Sequence, residues 1–167
     1  MPWLSLRRFC QKHFWELPAP CLEELRRRLK PGLRTLEAGS GASTRVFEEA
    51  GCRHVALEHR REHAPACASV LVVPLVGDPP WYDWTPEGPF DLILVDGPPF
   101  WVGRSGILRV LPRCMRKGTV VIVDDVNRSA DLRLAERIAS EYGLSMELRH
   151  NWELGFYRRS FAVLGSP

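Results

Sequence analysis

The chain lacks the sequence features that mark several large classes of protein. Its five cysteines are scattered and contain no CxxC pair, so they predict reduced thiols in a cytosolic compartment rather than a disulfide framework or a zinc finger. No apolar run approaches the roughly 20 residues that a membrane helix needs, and residues 1–20 carry charged side chains where a signal peptide is continuously apolar. We therefore expect a cytoplasmic protein that has no membrane partner.

A strong excess of one charge is also missing. The 23 basic and 20 acidic residues give a formal net charge of +3, which falls short of the basic field that dedicated nucleic-acid-binding proteins carry. This balance permits a nucleic-acid partner but does not indicate one. A length of 167 residues with 45% hydrophobic residues predicts a folded protein with one core and leaves open whether it forms a homodimer.

The first 32 residues predict a helical extension. Apolar side chains recur at helical spacing from Trp3 to Leu17, prolines at positions 18 and 20 interrupt the pattern, and a second helical stretch covers residues 21–30. We therefore divide the chain into an N-terminal helical extension, residues 1–32, and a main domain, residues 33–167.

From residue 33 onward, short apolar runs alternate with helical segments. The predicted strands are residues 33–38, 54–58, 69–75, 90–95 and 119–123, and the predicted helices are residues 43–50, 62–68, 104–116 and 130–142. The run from Leu92 to Val95 leaves no polar face, which is typical of a parallel strand covered on both sides. Residues 145–150 and 159–164 are too close for a helical crossover and predict an antiparallel hairpin. The sequence thus predicts an α/β fold with a doubly wound, mostly parallel, seven-stranded, Rossmann-like sheet that ends in this C-terminal hairpin.

The strongest local signal is the glycine-rich segment Glu37-Ala38-Gly39-Ser40-Gly41, which follows the first predicted strand and precedes a helix. Glycines there allow a tight turn and a close approach of the backbone to a ligand. The helix N-terminus presents free N–H groups, one of which Ser43 or Thr44 can cap. A nucleotide-like ligand is the functional interpretation, and an ordinary strand-to-helix turn is the alternative.

Neighbouring residues bear on which nucleotide binds. Thr44 occupies the position of the third glycine of a dinucleotide-binding loop, and Glu37 suits a cationic ligand end better than a pyrophosphate, so both disfavour a nicotinamide cofactor. Glu58 ends the second predicted strand, 19 residues after Gly39, where a carboxylate can accept both hydroxyls of a ribose. Taken alone, Glu58 could equally be a solvated charge.

Together, the glycine-rich segment and Glu58 resemble the first two motifs of the class I S-adenosylmethionine-dependent methyltransferases. The resemblance extends over roughly residues 33–165, and it implies the methyltransferase form of the predicted fold. It also implies that Gly39-Ser40-Gly41 packs against S-adenosylmethionine, that Glu37 supports the loop and the cofactor's amino group, and that Glu58 binds the ribose. Asp78, after the third predicted strand, falls where such enzymes contact adenine.

Three carboxylates follow the fourth and fifth predicted strands. Asp96 ends the fourth strand and Asp124-Asp125 ends the fifth, so all three reach the carboxyl edge of the sheet, where open α/β folds bind ligands. They resemble the acids of metal-dependent O-methyltransferases of the catechol and caffeoyl-coenzyme A type. That resemblance implies Mg²⁺ or another divalent cation on Asp96, Asp124 and Asp125. The family has an Asp-Asn pair where this sequence has Asp124-Asp125, so the amide is missing. As an alternative to a metal site, Asp124 or Asp125 acts as a catalytic base or caps the loop.

Other residues near this edge have two interpretations each. The segments around Asp96, Arg104 and Asp124 also resemble bacterial methyltransferase-like sequences that read Asp-Gly-Pro-Pro, Arg-x-Gly-x-Leu and Asp-Asp-x-x-Arg. Arg104 and Arg128 either cap helices or pair with the acids, or they bind an anionic or sugar substrate. Four aromatic residues in the predicted ligand-edge loops either cover a ligand or belong to the core: Trp81, Tyr82, Trp84 and Trp101.

We therefore predict an S-adenosylmethionine-dependent methyltransferase that methylates a hydroxyl group of a small molecule. The predicted catalytic acids are Asp96, Asp124 and Asp125, and Asp96 also faces the cofactor. An amino-group or RNA acceptor is an alternative within the same chemistry. Two other function classes stay open, namely a nicotinamide-dependent oxidoreductase of the Rossmann type and a non-catalytic nucleotide-binding module.

Overall fold

A computed structural model describes residues 16–153 and 157–166, and a seven-stranded sheet forms the centre of this part of the chain. In chain order the strands are β1 (Arg34–Ala38), β2 (Arg53–Glu58), β3 (Val70–Val72), β4 (Leu75–Val76), β5 (Trp81–Tyr82), β6 (Leu92–Val95), β7 (Val120–Val123), β8 (Ser145–Glu153) and β9 (Tyr157–Gly165). The helices are α1 (Ala19–Arg28), α2 (Ala42–Glu49), α3 (Leu111–Cys114) and α4 (Ser129–Tyr142). Short 3₁₀ helices cover Arg61–His63 and Ser105–Arg109.

The strand order in the sheet is β3-β2-β1-β6-β7-β9-β8. The first five strands of this order run parallel, while β9 pairs antiparallel with both β7 and β8. The order reverses between β1 and β6, and this is the point at which open α/β sheets form a ligand crevice beyond their strand ends. The parallel sheet and its closing hairpin confirm the predicted fold.

The core lies on both faces of the sheet. Successive residues of β6 alternate between two buried clusters, with Ile93 and Val95 in one and Leu92 and Leu94 in the other. Helices α3 and α4 supply the first cluster, whereas α1 and α2 supply the second. Both faces of β6 are therefore dry, which explains its unbroken apolar sequence. Helix α1 packs directly onto the sheet. Its position therefore does not test the predicted boundary at residue 32 between a helical extension and a main domain.

Two predicted helices are wrong in length. Residues 62–68 form only the 3₁₀ turn Arg61–His63, and Pro65 follows directly where an α-helix would have to continue. The predicted helix 104–116 is broken into a 3₁₀ turn and the short α3. Gly106 lies so close to Pro80 that a Cβ there would lie 2.3 Å from the proline's carbonyl oxygen, and Pro112 begins the second piece. Close packing and proline chemistry thus override the helical pattern.

Other predictions need smaller adjustments. The predicted strand 69–75 splits into β3 and β4, and β4 leaves the main sheet to pair with β5. The second N-terminal helical stretch is confirmed as α1, whereas the first, from Trp3 to Leu17, lies almost entirely outside the described residues. Within the described part of the chain, no helix is long and apolar enough to cross a membrane.

Candidate functional site

The carboxyl ends of β1, β2, β6 and β7 open on one cavity of about 830 Å³. Its walls include the Gly39–Gly41 turn after β1, Glu58 at the end of β2, Asp96 at the end of β6 and Asp125 after β7. Residues that are far apart in the sequence therefore meet at the edge of the sheet that the sequence predicts. The size is in the range of sites that bind a small molecule or cofactor.

The glycine turn is held from beneath by Glu37. This side chain is fully buried, and its carboxylate accepts hydrogen bonds from the hydroxyls of Ser43 and Thr44, the latter at 2.6 Å. The Thr44 hydroxyl oxygen also accepts a bond from the Gly41 N–H at 3.0 Å, so it caps α2 as the sequence predicts. On the other side, His54 Nε2 lies 3.3 Å from the Glu37 carboxylate. Glu37 thus supports the loop without lining the cavity.

Two glycines allow the loops after β1 and β6 to cross. Gly39 has a φ of +87°, and a Cβ on it would lie 2.9 Å from the backbone nitrogen of Gly97. A Cβ on Gly97 would lie 2.8 Å from the Gly39 Cα atom. Any larger side chain at either position would push the two loops apart.

Glu58 is buried and has its two carboxylate oxygens in different surroundings. Oε1 accepts hydrogen bonds from the backbone N–H groups of His59 at 2.7 Å and Arg60 at 2.9 Å. Oε2 lies 3.4 Å from the Ser40 hydroxyl on the cavity wall. The backbone bonds fix the carboxylate orientation, so that one oxygen faces the glycine turn and can accept from a ligand hydroxyl.

Asp96, Asp124 and Asp125 form an acidic cluster, because one carboxylate oxygen of each lies within 4.8 Å of the others. They differ in access to the cavity: the Asp96 side chain is 21% exposed, whereas that of Asp124 is 0% exposed. Asp125 has a φ of 60° and is the only non-glycine residue with positive φ among those described. Such left-handed backbone occurs where surrounding contacts hold it, often at functional sites.

Arg104 joins the acidic cluster to both strand ends. Its guanidinium donates to the backbone carbonyls of Asp96 at 2.6 Å and Asp124 at 2.9 Å, and to the Asp125 carboxylate at 2.9 Å. It also lies 3.3 Å from the Asp96 carboxylate. Burial alone would lower the pKa of Arg104, but the charges of Asp96 and Asp125 raise it above its ordinary value. The cluster therefore contains a fixed positive charge.

Arg159, on β9, supplies a second buried guanidinium. It lies 3.1 Å from the Asp124 carboxylate and 3.7 Å from that of Asp125. Nevertheless, burial and the neighbouring charge of Asp125 raise the pKa of Asp124 to about 6. Burial, followed by the charge of Asp124, raises the pKa of Asp96 well above its ordinary value. Burial and the proximity of other carboxylates both disfavour the charged form of a carboxyl group and so raise its pKa.

Solved structures share this arrangement of strands and helices at low sequence identity. An O-methyltransferase from Bacillus cereus, in complex with SAH, is 19% identical, with a TM-score of 0.67 over 98% of this chain and 88% of that chain. An O-methyltransferase of tomaymycin synthesis from Streptomyces achromogenes, in complex with SAM, is 20% identical, with a TM-score of 0.63 over 98% and 89%. The chain has the S-adenosylmethionine-dependent methyltransferase fold. No protein-family model matches the sequence, and no curated protein matches it significantly.

The methyltransferase fold brings most, but not all, of the predicted site residues to the cavity. Gly39, Ser40, Gly41, Glu58, Asp96 and Asp125 line it, while Glu37, Asp78 and Asp124 do not. Of the four aromatic residues, Tyr82 and Trp101 line the cavity, whereas Trp81 is in the core and Trp84 lies in a second cavity elsewhere. The Tyr82 hydroxyl is buried without a hydrogen-bond partner among the described residues.

Sequence reasoning missed the role of Arg159, which it treated only as the start of a strand. The signal was an arginine just before the apolar run Phe161–Leu164, on the strand that pairs with β7. For Arg104, the structure shows ion pairing with the acids, which is one of the two interpretations that the sequence left open.

Proposed function

We propose that this chain is an S-adenosylmethionine-dependent methyltransferase that acts on a hydroxyl group of a small molecule. The observation that carries the proposal is that the Gly39–Gly41 turn, Glu58 and Asp96 lie on three neighbouring strand ends around one cavity. A Cβ on Gly41 would meet nothing within 4 Å, so the turn leaves open space for the methionine end of the cofactor. The Tyr82 hydroxyl, which has no hydrogen-bond partner within the described part of the chain, adds a polar group in the cavity wall.

When bound, S-adenosylmethionine would supply a methyl group, carried on a positively charged sulfur, for transfer to the hydroxyl oxygen of the acceptor. Glu58 binds the ribose hydroxyls through its cavity-facing oxygen. Asp96 accepts the proton of the acceptor hydroxyl, because its carboxylate is the part of the acidic cluster with the greatest exposure. Holding both reactants in one orientation supplies most of the rate increase.

Asp124 and Asp125 have supporting roles in this proposal. Asp124 is fully buried and pairs with Arg159, so it affects the cavity by holding that arginine in position. Asp125 pairs with Arg104 at 2.9 Å and with Arg128 at 2.8 Å. Both acids therefore hold the arginines that shape the acceptor side of the cavity, and we propose them as positioning residues.

The acidic cluster does not fit a divalent cation as it stands. The Arg104 guanidinium already lies 2.9 Å from Asp125 and 3.3 Å from Asp96, in the region where a metal would have to contact both. The Arg159 guanidinium lies 3.1 Å from Asp124 and 3.7 Å from Asp125. We propose that these arginines neutralise the carboxylates, because a metal would have to displace buried, charge-assisted hydrogen bonds. In this proposal neither Mg²⁺ nor Mn²⁺ changes the melting temperature, and EDTA does not lower it.

Isothermal titration calorimetry with S-adenosylhomocysteine tests the cofactor assignment. We expect the wild type to bind it and Glu58→Gln to bind roughly tenfold more weakly, because an amide replaces a charged acceptor of the ribose hydroxyls. Glu62→Gln is the matched control, since Glu62 is exposed, lies four residues further on and does not line the cavity. Binding of NAD instead of S-adenosylhomocysteine, or equal affinities of the two variants, would contradict the proposal.

A further inference from the structure

The outer end of the cavity carries two large aromatic side chains that the cofactor residues do not use. Phe100 and Trp101 follow β6 and remain 61% and 52% exposed. Their rings meet edge to face, with centroids 5.0 Å apart. Apolar rings on the cavity wall offer a surface that a flat, apolar ligand would cover.

An arginine flanks each of these rings. The Arg60 guanidinium lies 6.0 Å from the centroid of Trp101, and the Arg128 guanidinium lies 5.1 Å from that of Phe100. The result is a row of four side chains, Arg60, Trp101, Phe100 and Arg128, which we call the arginine–aromatic row. It spans the loops after β2, β6 and β7. The rings hold the guanidinium groups at the cavity wall.

These two arginines leave positive charge available to a ligand. Among the described residues, Arg60 has no carboxylate partner. Arg128 pairs with Asp125, but Asp125 also receives the buried Arg104. Glu16 and Glu58 also line this cavity. Glu16 is exposed, and Glu58 accepts hydrogen bonds from backbone N–H groups. The row is therefore built to accept an anion beside a ring.

We propose that the acceptor is a hydroxylated aromatic ring that carries an oxyacid group, either a carboxylate or a phosphate. The ring lies against Phe100 and Trp101, and Arg60 and Arg128 bind the oxyacid. The hydroxyl group then points toward Asp96, inside the same cavity. This proposal rests on the proposed function and narrows its substrate class.

Binding of three probes to the protein loaded with S-adenosylhomocysteine tests the proposal without requiring turnover. The probes are 4-hydroxybenzoate, 4-hydroxyphenyl phosphate and the neutral 4-hydroxybenzamide, each titrated by calorimetry. At least one anionic probe should bind about tenfold or more tightly than the amide. The tighter of the two anions identifies the oxyacid, and equal affinities support their shared chemistry. An amide that binds as tightly as both anions, or the absence of binding by all three probes, overturns the proposal.

Variants separate the charge from the rings. Arg60→Gln should weaken the anionic probe about fivefold and leave the amide unchanged, with Arg128→Gln as a second variant. Arg61→Gln is the matched control, because Arg61 is exposed, adjacent in sequence and absent from the cavity wall. Trp101→Leu should weaken the anionic and neutral probes alike. Failure of S-adenosylhomocysteine to bind at all would instead contradict the proposed function, so the two failures are distinguishable.

Discussion

Two buried acidic sites flank the cavity, and the protein stabilises them in different ways. On the glycine-loop side, Glu37 receives hydrogen bonds from two hydroxyl groups, those of Ser43 and Thr44. On the other side, the acidic cluster receives two guanidinium groups, those of Arg104 and Arg159. The first site uses hydroxyl groups of the adjoining helix together with His54 of β2, whereas the second uses the full charges of two arginines.

The two sides therefore differ in what their hydrogen-bond donors hold in place. Hydroxyl groups from α2 hold the Glu37 carboxylate beneath the glycine loop. Arg104 donates to the Asp96 carbonyl and to the Asp125 carboxylate, so it ties together the loops that follow the neighbouring strands β6 and β7. We therefore expect changes on the arginine side to cost more stability than changes at the loop.

Arg104→Met should have the largest effect. The substitution keeps much of the apolar stem but leaves Asp96 and Asp125 without their shared guanidinium, and breaking a buried pair in this way costs about 3–5 kcal/mol. Urea unfolding monitored by circular dichroism measures the loss. Arg137→Met is the control, because Arg137 pairs with Glu141 on the exposed face of α4, where a lost pair costs less than about 1 kcal/mol. Similar losses in both variants would contradict the central role of Arg104.

Asp124→Asn should change the pH dependence of stability. The pKa of Asp124 is raised from 3.8 to about 6 in the folded protein, so the folded state holds this proton more tightly than the unfolded state. Its contribution to stability is therefore present below about pH 4 and is lost as the pH rises to about 6. Relative to the variant, the wild type should lose about 3 kcal/mol across this window.

The measurement is the free energy of unfolding at several pH values from 4 to 7 in both proteins. Asp124→Asn also removes the charge that helps to raise the Asp96 pKa, so the slope of the difference reports the titration of Asp96 and Asp124 together. Glu136→Gln, on the exposed face of α4, is the control and should follow the wild type. Parallel curves for the wild type and Asp124→Asn would show that Asp124 does not bind a proton in this range.

The same contrast explains how much could be predicted from the sequence. The glycine loop and its Thr44 cap lie within a few residues of each other, so turn chemistry and spacing predict them. Strand periodicity likewise predicts the sheet and places Asp96 and Asp125 at its edge. Pairing of Arg104 with the acids is one of two interpretations that the sequence leaves open, whereas the pairing of Arg159 with Asp124 could not be predicted, because these two residues are 35 positions apart. Such contacts depend on the packing of β9 beside β7, which local patterns do not contain.

Gly39→Ala should have a smaller effect. Gly39 lies where the glycine loop crosses the loop after β6. Gly39 lies at a φ of +87°, which costs a residue with a side chain roughly 1–2 kcal/mol. Its new Cβ would also lie 3.1 Å from the carbonyl carbon of Asp96. We expect a loss of about 2 kcal/mol in urea unfolding, together with weaker binding of S-adenosylhomocysteine, because the loop must move away from the Asp96–Gly97 turn.

Gly41→Ala is the matched control for this change. Gly41 has an extended backbone with a φ of −178°, and a Cβ there would meet nothing within 4 Å. Its stability should stay within about 0.5 kcal/mol of the wild type, although its methyl group would project into the space assigned to the cofactor. Equal losses of stability in the two variants would mean that the crossing of the two loops is not what makes Gly39 necessary.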